Sequence, residues 1–597
     1  MTKYWPAELA VQALQEEGVE VMFGILGGHI QSIIDYGYRA GIKIIMTRHE
    51  QAAVHAADGY ARLTRKPGVC FATGGPGMLN MITGIHMAYV SRTPMVFLFG
   101  GHKEKESHRG AVQEAYAAEV CRSITKWTVR VTDPSMASFF IRKAFKDAMT
   151  PPYGPVGIEF PVDTFNFEPV EASSQIAYRP GPWLESPAAR PGTDPVYAQR
   201  AVELLKAAKR PLIMAGEGVH WASAGPQLRT LAERLQIPFN LRRLGRGAIP
   251  EDHPLSISGG ARKNVVSEAD VVLLLGLNVG YLESFGEWKT DARFIQLQSC
   301  SDDVLTTLPT ALEIVADPAM VLEQMLALVD ADGTLDADRD AWTARAKALQ
   351  GQFVERMTDE ALQASREAPI HPRWLAKVVS DFTTENTTLV FDSFTASTYL
   401  GEHLLAKRSG QVLDAGLSAA FGHGIGMGIG AKLARPDDRV LVMMGDAGAG
   451  LGGGDIETAV RYGVPVVYLI YNNSAFAAGL EDYAYGENFR ILGPEAHKGF
   501  HLTDVRYDLM YAPLGCHVEH VEDPAEITAA LERAFASGKT AVINLVSTRH
   551  SQHPLYESAA AREMFWHLPV DEVEAPVRKR HHESYYPKFH NGRRVGE

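Results

Sequence analysis

Cysteine is scarce in this sequence, with four residues in a chain of 597. The four lie far apart and none forms a CxxC pair, so the sequence predicts neither a disulfide framework nor a zinc knuckle. Isolated thiols of this kind are typical of a reducing compartment, and we expect a cytoplasmic protein. The cysteines are Cys70, Cys121, Cys300 and Cys516.

Long apolar runs are also absent from the sequence. No stretch reaches the roughly 18 uninterrupted apolar residues of a membrane span, and the first residues lack the apolar core and cleavage site of a secretion signal. We therefore expect no membrane contact. Basic residues number 58 against 71 acidic ones, a net charge of -13, which argues against a nucleic-acid partner but permits a local basic patch.

The rest of the composition is that of an ordinary globular protein, with 46% hydrophobic residues. At about 150 to 200 residues per domain, the length predicts three or four domains. Short β-branched runs alternate with amphipathic stretches, which predicts α/β domains with open, mostly parallel sheets. We expect domains over 1–170, 190–335 and 365–550 and a tail over 551–597, with a linker rich in Pro, Ser and Gly between the first two.

The apolar runs also predict individual strands. They lie at 19–23, 42–46, 68–72, 95–99 and 156–160 in the first domain, at 211–215, 271–275 and 294–297 in the second, and at 388–391, 440–444, 466–471 and 542–546 in the third.

The most specific pattern joins two strands that end in polar residues. The strand at 440–444 runs into Gly445-Asp446-Ala447-Gly448, and the strand at 466–471 runs into Asn472-Asn473. A carboxylate and an amide oxygen at neighbouring strand ends are hard ligands of the kind that magnesium takes, and glycines let N–H groups approach a diphosphate. Gly-Asp or Asn-Asn alone is more often an ordinary turn. Together they predict a site for magnesium and a diphosphate.

This pair of motifs resembles that of the thiamine-diphosphate-dependent enzymes of the acetolactate synthase and oxalyl-CoA decarboxylase group. The resemblance implies a pyrimidine-binding first domain, a Rossmann-like middle domain and a diphosphate-binding third domain. It also implies that Asp446, Asn473 and the carbonyl of Ala475 bind Mg²⁺. Ala447 stands where a second glycine is usual, and so small a residue still allows a phosphate to approach.

A second segment of the resemblance precedes a helix predicted over 51–63. It reads Arg48-His49-Glu50-Gln51-Ala52-Ala53 and looks like the glutamate segment of the same enzymes. The resemblance implies that Glu50 binds the cofactor's pyrimidine and promotes the tautomer that removes the thiazolium proton. The alternative is an acid that the helix dipole alone favours. The presence of the Asp446 and Asn473 motifs in the same chain favours the catalytic role.

The resemblance also implies an assembly. In these enzymes the glutamate of one subunit faces the diphosphate and metal of another, which implies a homodimer or homotetramer with active sites at the interface. A structural role is the alternative for single His and Gln residues in turns. The other residues placed at the cofactor or substrate are Gly27, Gly28, His29, Gln113, Glu114, Thr395, Ser397, Phe421, Gly445 and Gly448.

The substrate is predicted from less specific features. The run from Gly448 to Thr458 is similar to the oxalyl-CoA decarboxylase and 2-hydroxyacyl-CoA lyase branch, which implies an acyl-CoA substrate. The basic tail with interleaved aromatics suits the phosphates and adenine of coenzyme A as a lid, and a solvated chain end is the alternative. The cations that we expect at coenzyme A, or at an ADP bound in the middle domain, are Arg242, Arg246, Arg262, Lys263, Arg578 and Arg580.

These features predict a 2-hydroxyacyl-CoA lyase, which cleaves its substrate into formyl-CoA and a ketone or aldehyde. Glu495 or Glu114 is the expected acid/base for the 2-hydroxyl group. One alternative keeps the cofactor but acts as an oxalyl-CoA decarboxylase or an acetolactate synthase-like decarboxylase and carboligase. The other is a nucleotide-binding regulatory protein without catalysis, which the presence of Glu50, Asp446 and Asn473 disfavours.

Overall fold

A computed structural model describes residues 3–166, 168–171, 190–329, 337–393, 396–476, 501–551, 553, 589–590 and 593–594. Three separate sheets, each made only of parallel strands, lie one after another along the chain. This confirms the α/β prediction of three open, parallel-sheet domains. The predicted lid in the tail lies almost wholly outside the described residues.

The first sheet has six strands. They are β2 (Val21–Gly24), β3 (Lys43–Met46), β4 (Gly68–Ala72), β5 (Met95–Gly101), β6 (Thr128–Arg130) and β7 (Pro155–Pro161), in the spatial order β3-β2-β4-β5-β7-β6. The helices around it are α1 (Pro6–Glu16), α2 (Gln31–Arg39), α3 (Glu50–Thr64), α4 (Pro76–Asn80), α5 (Ile82–Val90), α6 (Ala117–Val120), α7 (Ala137–Ala148) and α8 (Val162–Asn166). A short antiparallel pair joins β1 (Lys3–Tyr4) to β8 (Val170–Glu171).

The middle sheet has five strands. They are β9 (Pro211–Ala215), β10 (Phe239–Leu241), β11 (Val271–Leu275), β12 (Arg293–Gln298) and β13 (Thr310–Val315), in the order β10-β9-β11-β12-β13. Its helices are α9 (Pro195–Ala207), α10 (Glu217–Trp221), α11 (Gly225–Leu235), α12 (Ala261–Glu268) and α13 (Pro318–Leu326). The long helix α14 (Ala337–Gln363) follows, and its Trp342 and Phe353 pack into the core of this domain.

The third sheet repeats the strand order of the first. Its strands are β14 (Thr387–Phe391), β15 (Val412–Asp414), β16 (Arg439–Gly445), β17 (Val467–Asn472), β18 (His517–Val521) and β19 (Ala541–Val546), in the order β15-β14-β16-β17-β19-β18. Its helices are α15 (Pro372–Phe382), α16 (Ala396–His403), α17 (His423–Ala434), α18 (Asp446–Gly452), α19 (Ile456–Arg461), α20 (Tyr507–Tyr511) and α21 (Ile527–Ala536). Two short strands, β20 (Phe589–His590) and β21 (Arg593–Arg594), pair near the chain end.

Central strands of all three sheets are apolar and buried along their whole length, as in β4, β11 and β17. Such strands are covered by helices on both faces, which explains why continuous apolar runs predict them. Among the described residues, no helix is both long and apolar enough to span a membrane.

The first and third domains meet through α3 and α17. A Cβ built on Gly426 would lie 2.4 Å from the carbonyl oxygen of Ala52, and one on Gly430 would lie 1.8 Å from that of Ala56. On the other helix, α3, a Cβ on Gly59 would lie 2.6 Å from the carbonyl oxygen of Met427. The two helices therefore approach backbone to backbone, which only glycine permits.

Candidate functional site

Asp446 is the first residue of α18 and follows β16 directly. Its side chain is 2% exposed, and its Oδ1 accepts the Ala447 N–H at 2.8 Å. Its Oδ2 is buried and makes no hydrogen bond to the described residues. Burial raises the pKa of Asp446 to about 6, against the opposing effect of nearby backbone N–H groups. A buried carboxylate oxygen without a hydrogen-bond partner is suited to bind a metal ion.

The two asparagines at the end of β17 do different work. Asn472 donates to the Val505 carbonyl at 2.8 Å and to Asn544 Oδ1 at 3.0 Å. It therefore ties the end of β17 to the segment before α20 and to β19. Asn473 is 6% exposed, and its Oδ1 accepts the Ala475 N–H at 3.2 Å. Asn473 and Ala475 follow β17, which pairs with β16, the strand that directly precedes Asp446. The fold thus brings together the three predicted metal ligands at one sheet edge.

A narrow backbone cradle lies beside these residues. Asp392, fully buried at the end of β14, accepts the N–H groups of Gly422 at 3.0 Å and Gly424 at 2.8 Å. A Cβ on Gly448 would lie 3.2 Å from the Gly422 nitrogen. Ser397 lies half-buried near the start of α16. Gly422, Gly424 and Gly448 therefore lie together around the Asp392 carboxylate. Thr395 lies outside the described residues.

Glu50 begins α3 after the loop that follows β3. Its side chain is 8% exposed, and its Oε2 accepts a hydrogen bond from Asn80 Nδ2 at 2.9 Å. A Cβ on Gly77 would lie 3.3 Å from Oε1, so this oxygen faces a surface that glycine keeps open. The N-cap of α3 is His49, whose ring accepts the Gln51 N–H. Glu50 is therefore not needed as the capping residue.

Residues from three other loops of the first domain gather near Glu50. Thr73 Oγ1 donates to Gln113 Oε1 at 3.1 Å. A Cβ on Gly74 would lie 3.3 Å from His29 Nδ1 and 3.4 Å from the Gln113 carbonyl oxygen. Gly77, which faces Glu50, belongs to the same turn as Gly74. One turn therefore lies against Glu50, His29 and Gln113.

The glycines before His29 differ in their surroundings. A Cβ on Gly27 would lie 2.4 Å from Thr73 Cβ, whereas one on Gly28 would meet no atom within 4 Å. Gly27 therefore serves close packing within the domain. Gly28 presents an open backbone surface, and its contact with the pyrimidine stays a prediction.

The imidazole of His29 is half-buried. Burial lowers the pKa of His29 below the ordinary histidine value, which favours the neutral ring. Its Nδ1 is buried and makes no hydrogen bond to the described residues. A neutral imidazole with an unused nitrogen can accept a proton.

Glu114 is held by hydrogen bonds within its own loop. It accepts the Tyr116 hydroxyl at 2.6 Å and the N–H groups of His108, Gly110 and Ala111. The hydrogen bond from Tyr116 is the largest of the effects that lower the pKa of Glu114 to about 2. The carboxylate is ionised at neutral pH and its oxygens are engaged, so these contacts favour a loop-stabilising role over proton transfer. The other predicted acid/base, Glu495, lies outside the described residues.

Phe421 precedes α17, and its ring is 44% exposed. An apolar ring left uncovered beside the Gly422 backbone is compatible with the predicted wedge under the cofactor. The position of this side chain relative to a cofactor stays a prediction.

The middle-domain cations expected at coenzyme A or ADP are mostly paired with carboxylates. Arg242 and Arg262 both contact Glu283, at 2.7 Å and 2.9 Å, and Arg246 contacts Glu251 at 2.6 Å. Lys263 is exposed. Each of the three arginines thus contacts a carboxylate, with Arg242 and Arg262 sharing Glu283, and the prediction of a bound ADP gains no support from them. Arg578 and Arg580 lie outside the described residues.

Sequence reasoning missed Asn80 and Thr73. Both follow β4 around the Gly74-Gly75-Pro76-Gly77 turn, and Asn80 contacts Glu50 across 30 positions of sequence. A glycine-rich turn after a buried strand of a parallel sheet is a signal that could have pointed to this loop.

Comparison with known proteins identifies the family of this chain. Residues 5–120 match the family described as thiamine pyrophosphate enzyme, N-terminal TPP binding domain; residues 198–325 match the central domain, and residues 395–545 match the C-terminal TPP binding domain. The chain belongs to the thiamine-diphosphate-dependent enzymes of the acetolactate synthase-like superfamily.

Its relatives carry two kinds of name. A "Probable acetolactate synthase" of Mycobacterium bovis is 31% identical over 553 residues, which cover 92% of this chain and 96% of the relative. A "2-hydroxyacyl-CoA lyase 1" of Mus musculus is 27% identical over 565 residues, covering 92% and 95%. A "2-hydroxyacyl-CoA lyase" of Arabidopsis thaliana is 28% identical over 556 residues, covering 90% and 94%.

The residues present fit the cofactor of this family. The unpartnered Oδ2 of Asp446 is suited to a divalent cation, and Gly445 and Gly448 stand on either side of it in the sequence without side chains that would exclude a phosphate group. On the other domain, Glu50 keeps one oxygen beside Gly77 while Asn80 holds the second.

Proposed function

We propose that Asp446, Asn473 and the Ala475 carbonyl bind Mg²⁺, which in turn binds the diphosphate of thiamine diphosphate. The support is chemical: three oxygen donors at one sheet edge, one of them a buried carboxylate oxygen without a partner. Magnesium takes few protein oxygens and completes its shell with phosphate and water. The N–H groups of 445–448 are the expected donors to the diphosphate.

We further propose a homodimer or homotetramer in which Glu50 of one subunit serves the cofactor held by the Asp446 half of another. Large apolar side chains flank both halves of the site and stay exposed in the single chain. Subunit contact would cover them, which supports the assembly. These side chains are Leu26, Leu79 and Val112 in the first domain and Phe421, Leu451 and Phe476 in the third.

Glu50 is proposed to hold the proton that activates the cofactor. When bound, thiamine diphosphate supplies a nucleophilic carbon that adds to a carbonyl group. Glu50 Oε1 is available for the pyrimidine ring because Asn80 takes up Oε2. A carboxylate in this protected place forms a stronger hydrogen bond than one in water.

The reaction that we propose is cleavage of a 2-hydroxyacyl-CoA into formyl-CoA and a ketone or aldehyde. Such a cleavage needs a base for the 2-hydroxyl proton, whereas loss of carbon dioxide does not. The observation that carries the proposal is His29, a neutral imidazole whose buried Nδ1 is unused and which lies beside Gln113. The similarity of the Gly448 to Thr458 run to the lyase branch, and the relatives named 2-hydroxyacyl-CoA lyase, support the same choice.

Acetolactate synthase is the second candidate. It is favoured by the relative of that name at 31% identity. This activity would use the same Glu50 and Asp446 halves but would take a 2-keto acid and release carbon dioxide.

One assay separates the two candidates. The protein with thiamine diphosphate and Mg²⁺ is incubated with a 2-hydroxyacyl-CoA or with pyruvate, and the products are followed by chromatography with mass detection. Formyl-CoA and the carbonyl product from the wild type, and none from Glu50→Gln, are the expected result. Carbon dioxide and acetolactate from pyruvate, with no formyl-CoA, would replace the lyase by the synthase.

A further inference from the structure

Three side chains of the third domain hold the loop that precedes Glu50, and a fourth side chain orients one of the three. Asp455, in the turn after α18, accepts the Arg48 N–H at 2.7 Å and the His49 N–H at 3.2 Å. The other contacts reach Met46, the last residue of β3. We call the set of Asp455, Thr458, Arg461 and Tyr462 the 455–462 clamp.

Asp455 is the centre of this clamp. It is 1% exposed, and Thr458 Oγ1 donates to its Oδ1 at 2.8 Å, so the carboxylate is itself oriented from its own helix. Backbone N–H groups that donate to a buried carboxylate make stronger hydrogen bonds than neutral pairs do. The bonds to Arg48 and His49 therefore restrain the two residues immediately before Glu50.

The remaining clamp residues restrain the end of β3. The Tyr462 hydroxyl accepts the Met46 N–H at 2.9 Å, and Arg461 donates to the Met46 carbonyl at 2.7 Å. The contacts that flank the loop from Thr47 to His49 thus come from a different domain. Helix α3, which follows this loop, also packs on α17 of the third domain.

We propose that Asp455 is a positioning residue for Glu50: it orients the start of α3 so that the Glu50 carboxylate lies at the correct angle for the pyrimidine ring. The segment that contains Asp455 begins at Asp446, so one stretch of the third domain both supplies the metal ligand and orients the activating glutamate. The proposal rests on the part that Glu50 takes in the proposed function. It also gives Asp455 and Thr458, which lie in the run whose resemblance implies an acyl-CoA substrate, a role inside the protein.

Asp455→Asn tests the proposal, with Asp437→Asn as the matched control on an exposed loop of the same domain. Two readouts are needed, and neither uses a substrate. The first is amide hydrogen exchange of a peptide that covers Arg48 and His49, followed by mass spectrometry. The second is the exchange rate of the thiazolium C2 proton of enzyme-bound thiamine diphosphate, followed by quenched-flow NMR.

For Asp455→Asn we expect faster amide exchange at Arg48 and His49 and a C2 exchange rate about 10 to 100 times slower, the usual cost of removing a supporting hydrogen-bond partner. The dissociation constant for thiamine diphosphate should stay within about threefold of wild type. Asp437→Asn should change neither rate. A normal C2 exchange rate in a folded Asp455→Asn protein would overturn the proposal.

Thr458→Val keeps the test decisive if Asp455→Asn fails to fold. It removes only the hydroxyl that orients Asp455 and preserves the volume of the side chain, so we expect the same two changes at a few-fold magnitude. Unchanged exchange rates in Thr458→Val, alongside a misfolded Asp455→Asn, would overturn the positioning role in favour of a purely structural one. Because C2 exchange requires no substrate, absence of formyl-CoA would refute the lyase proposal without affecting this result.

Discussion

The first and third domains are built on the same sheet yet carry different chemistry. Both arrange six parallel strands in the same spatial order, and in both the helix after the second strand, α3 or α17, packs on its counterpart. The first domain places one carboxylate, Glu50, and a neutral imidazole, His29, at its carboxyl edge. The third places Asp446 and Asn473 there. In the proposed function, one scaffold serves proton transfer in the first domain and metal binding in the third, and the loops at the carboxyl ends of the strands carry the difference.

The largest effect expected from this comparison follows Glu50→Gln. Loss of the acid/base group should lower kcat by about 10² to 10⁴-fold. Binding of thiamine diphosphate and Mg²⁺ should be nearly unchanged, since the proposed ligands of Mg²⁺ and of the diphosphate are on the third domain. Turnover and calorimetric titration measure the two quantities. A Glu50→Gln protein that loses cofactor binding as severely as turnover would contradict the division of labour.

His29→Asn tests the second proton-transfer group of the first domain. We expect kcat/KM to fall by about 10²-fold, since a general base contributes at least that much. In the wild type, burial lowers the pKa of His29, so the neutral, proton-accepting form persists as pH falls through the ordinary histidine range near about 6.5. Activity should therefore be flat from pH 8 to 7 and decline only at pH values below that range. Retention of the same acid limb by His29→Asn would assign the base to another residue.

Asp446→Asn should act on the other half of the site. Removal of the buried charge is expected to raise the dissociation constant for Mg²⁺ about 30-fold or more, as for loss of one partner of a buried charge pair. High Mg²⁺ should restore part of the turnover, which it cannot do for Glu50→Gln. Calorimetry with Asp437→Asn as control provides the measurement. Equal Mg²⁺ affinity in both variants would remove Asp446 from the metal site.

The smallest effect concerns the packing of α3 on α17. Gly430→Ala places a methyl group against the carbonyl oxygen of Ala56 and should lower the free energy of unfolding by about 1 to 3 kcal/mol. Gly351→Ala, at an exposed place in α14 with no atom within 4 Å, should raise it by about 0.5 to 1 kcal/mol. Urea denaturation compares the two. A neutral Gly430→Ala would show that the helices can separate without cost.

Most of the fold is predictable from apolar runs, and the unpredicted strands of the three parallel sheets share a position. β6, β10, β13, β15 and β18 each lie at the edge of a sheet. An edge strand has one open side and needs fewer apolar residues: β18 reads His-Val-Glu-His-Val, and β13 alternates exposed and buried side chains. Among the edge strands of the three parallel sheets, β3 is predicted, because its buried Ile-Ile pair forms an apolar run.

For the site, local motifs predict residues that share a strand end, such as Asp446 and its glycines. They do not predict partners brought together by packing. Asp455 contacts Arg48 across 407 positions of sequence, and no local pattern encodes that distance. The pairing of Arg242 and Arg262 with Glu283 is missed for the same reason.

Mixing two inactive variants tests most directly whether the halves of the site come from different subunits. Glu50→Gln and Asp446→Asn chains are unfolded together, refolded in equal amounts and assayed for C2 proton exchange of bound thiamine diphosphate. If Glu50 of one subunit serves the Asp446 half of another, each mixed dimer contains one intact site, and about a quarter of the wild-type signal should return. If mixed dimers form and no signal returns, the two halves act within one chain, and the proposed architecture of the active site is wrong.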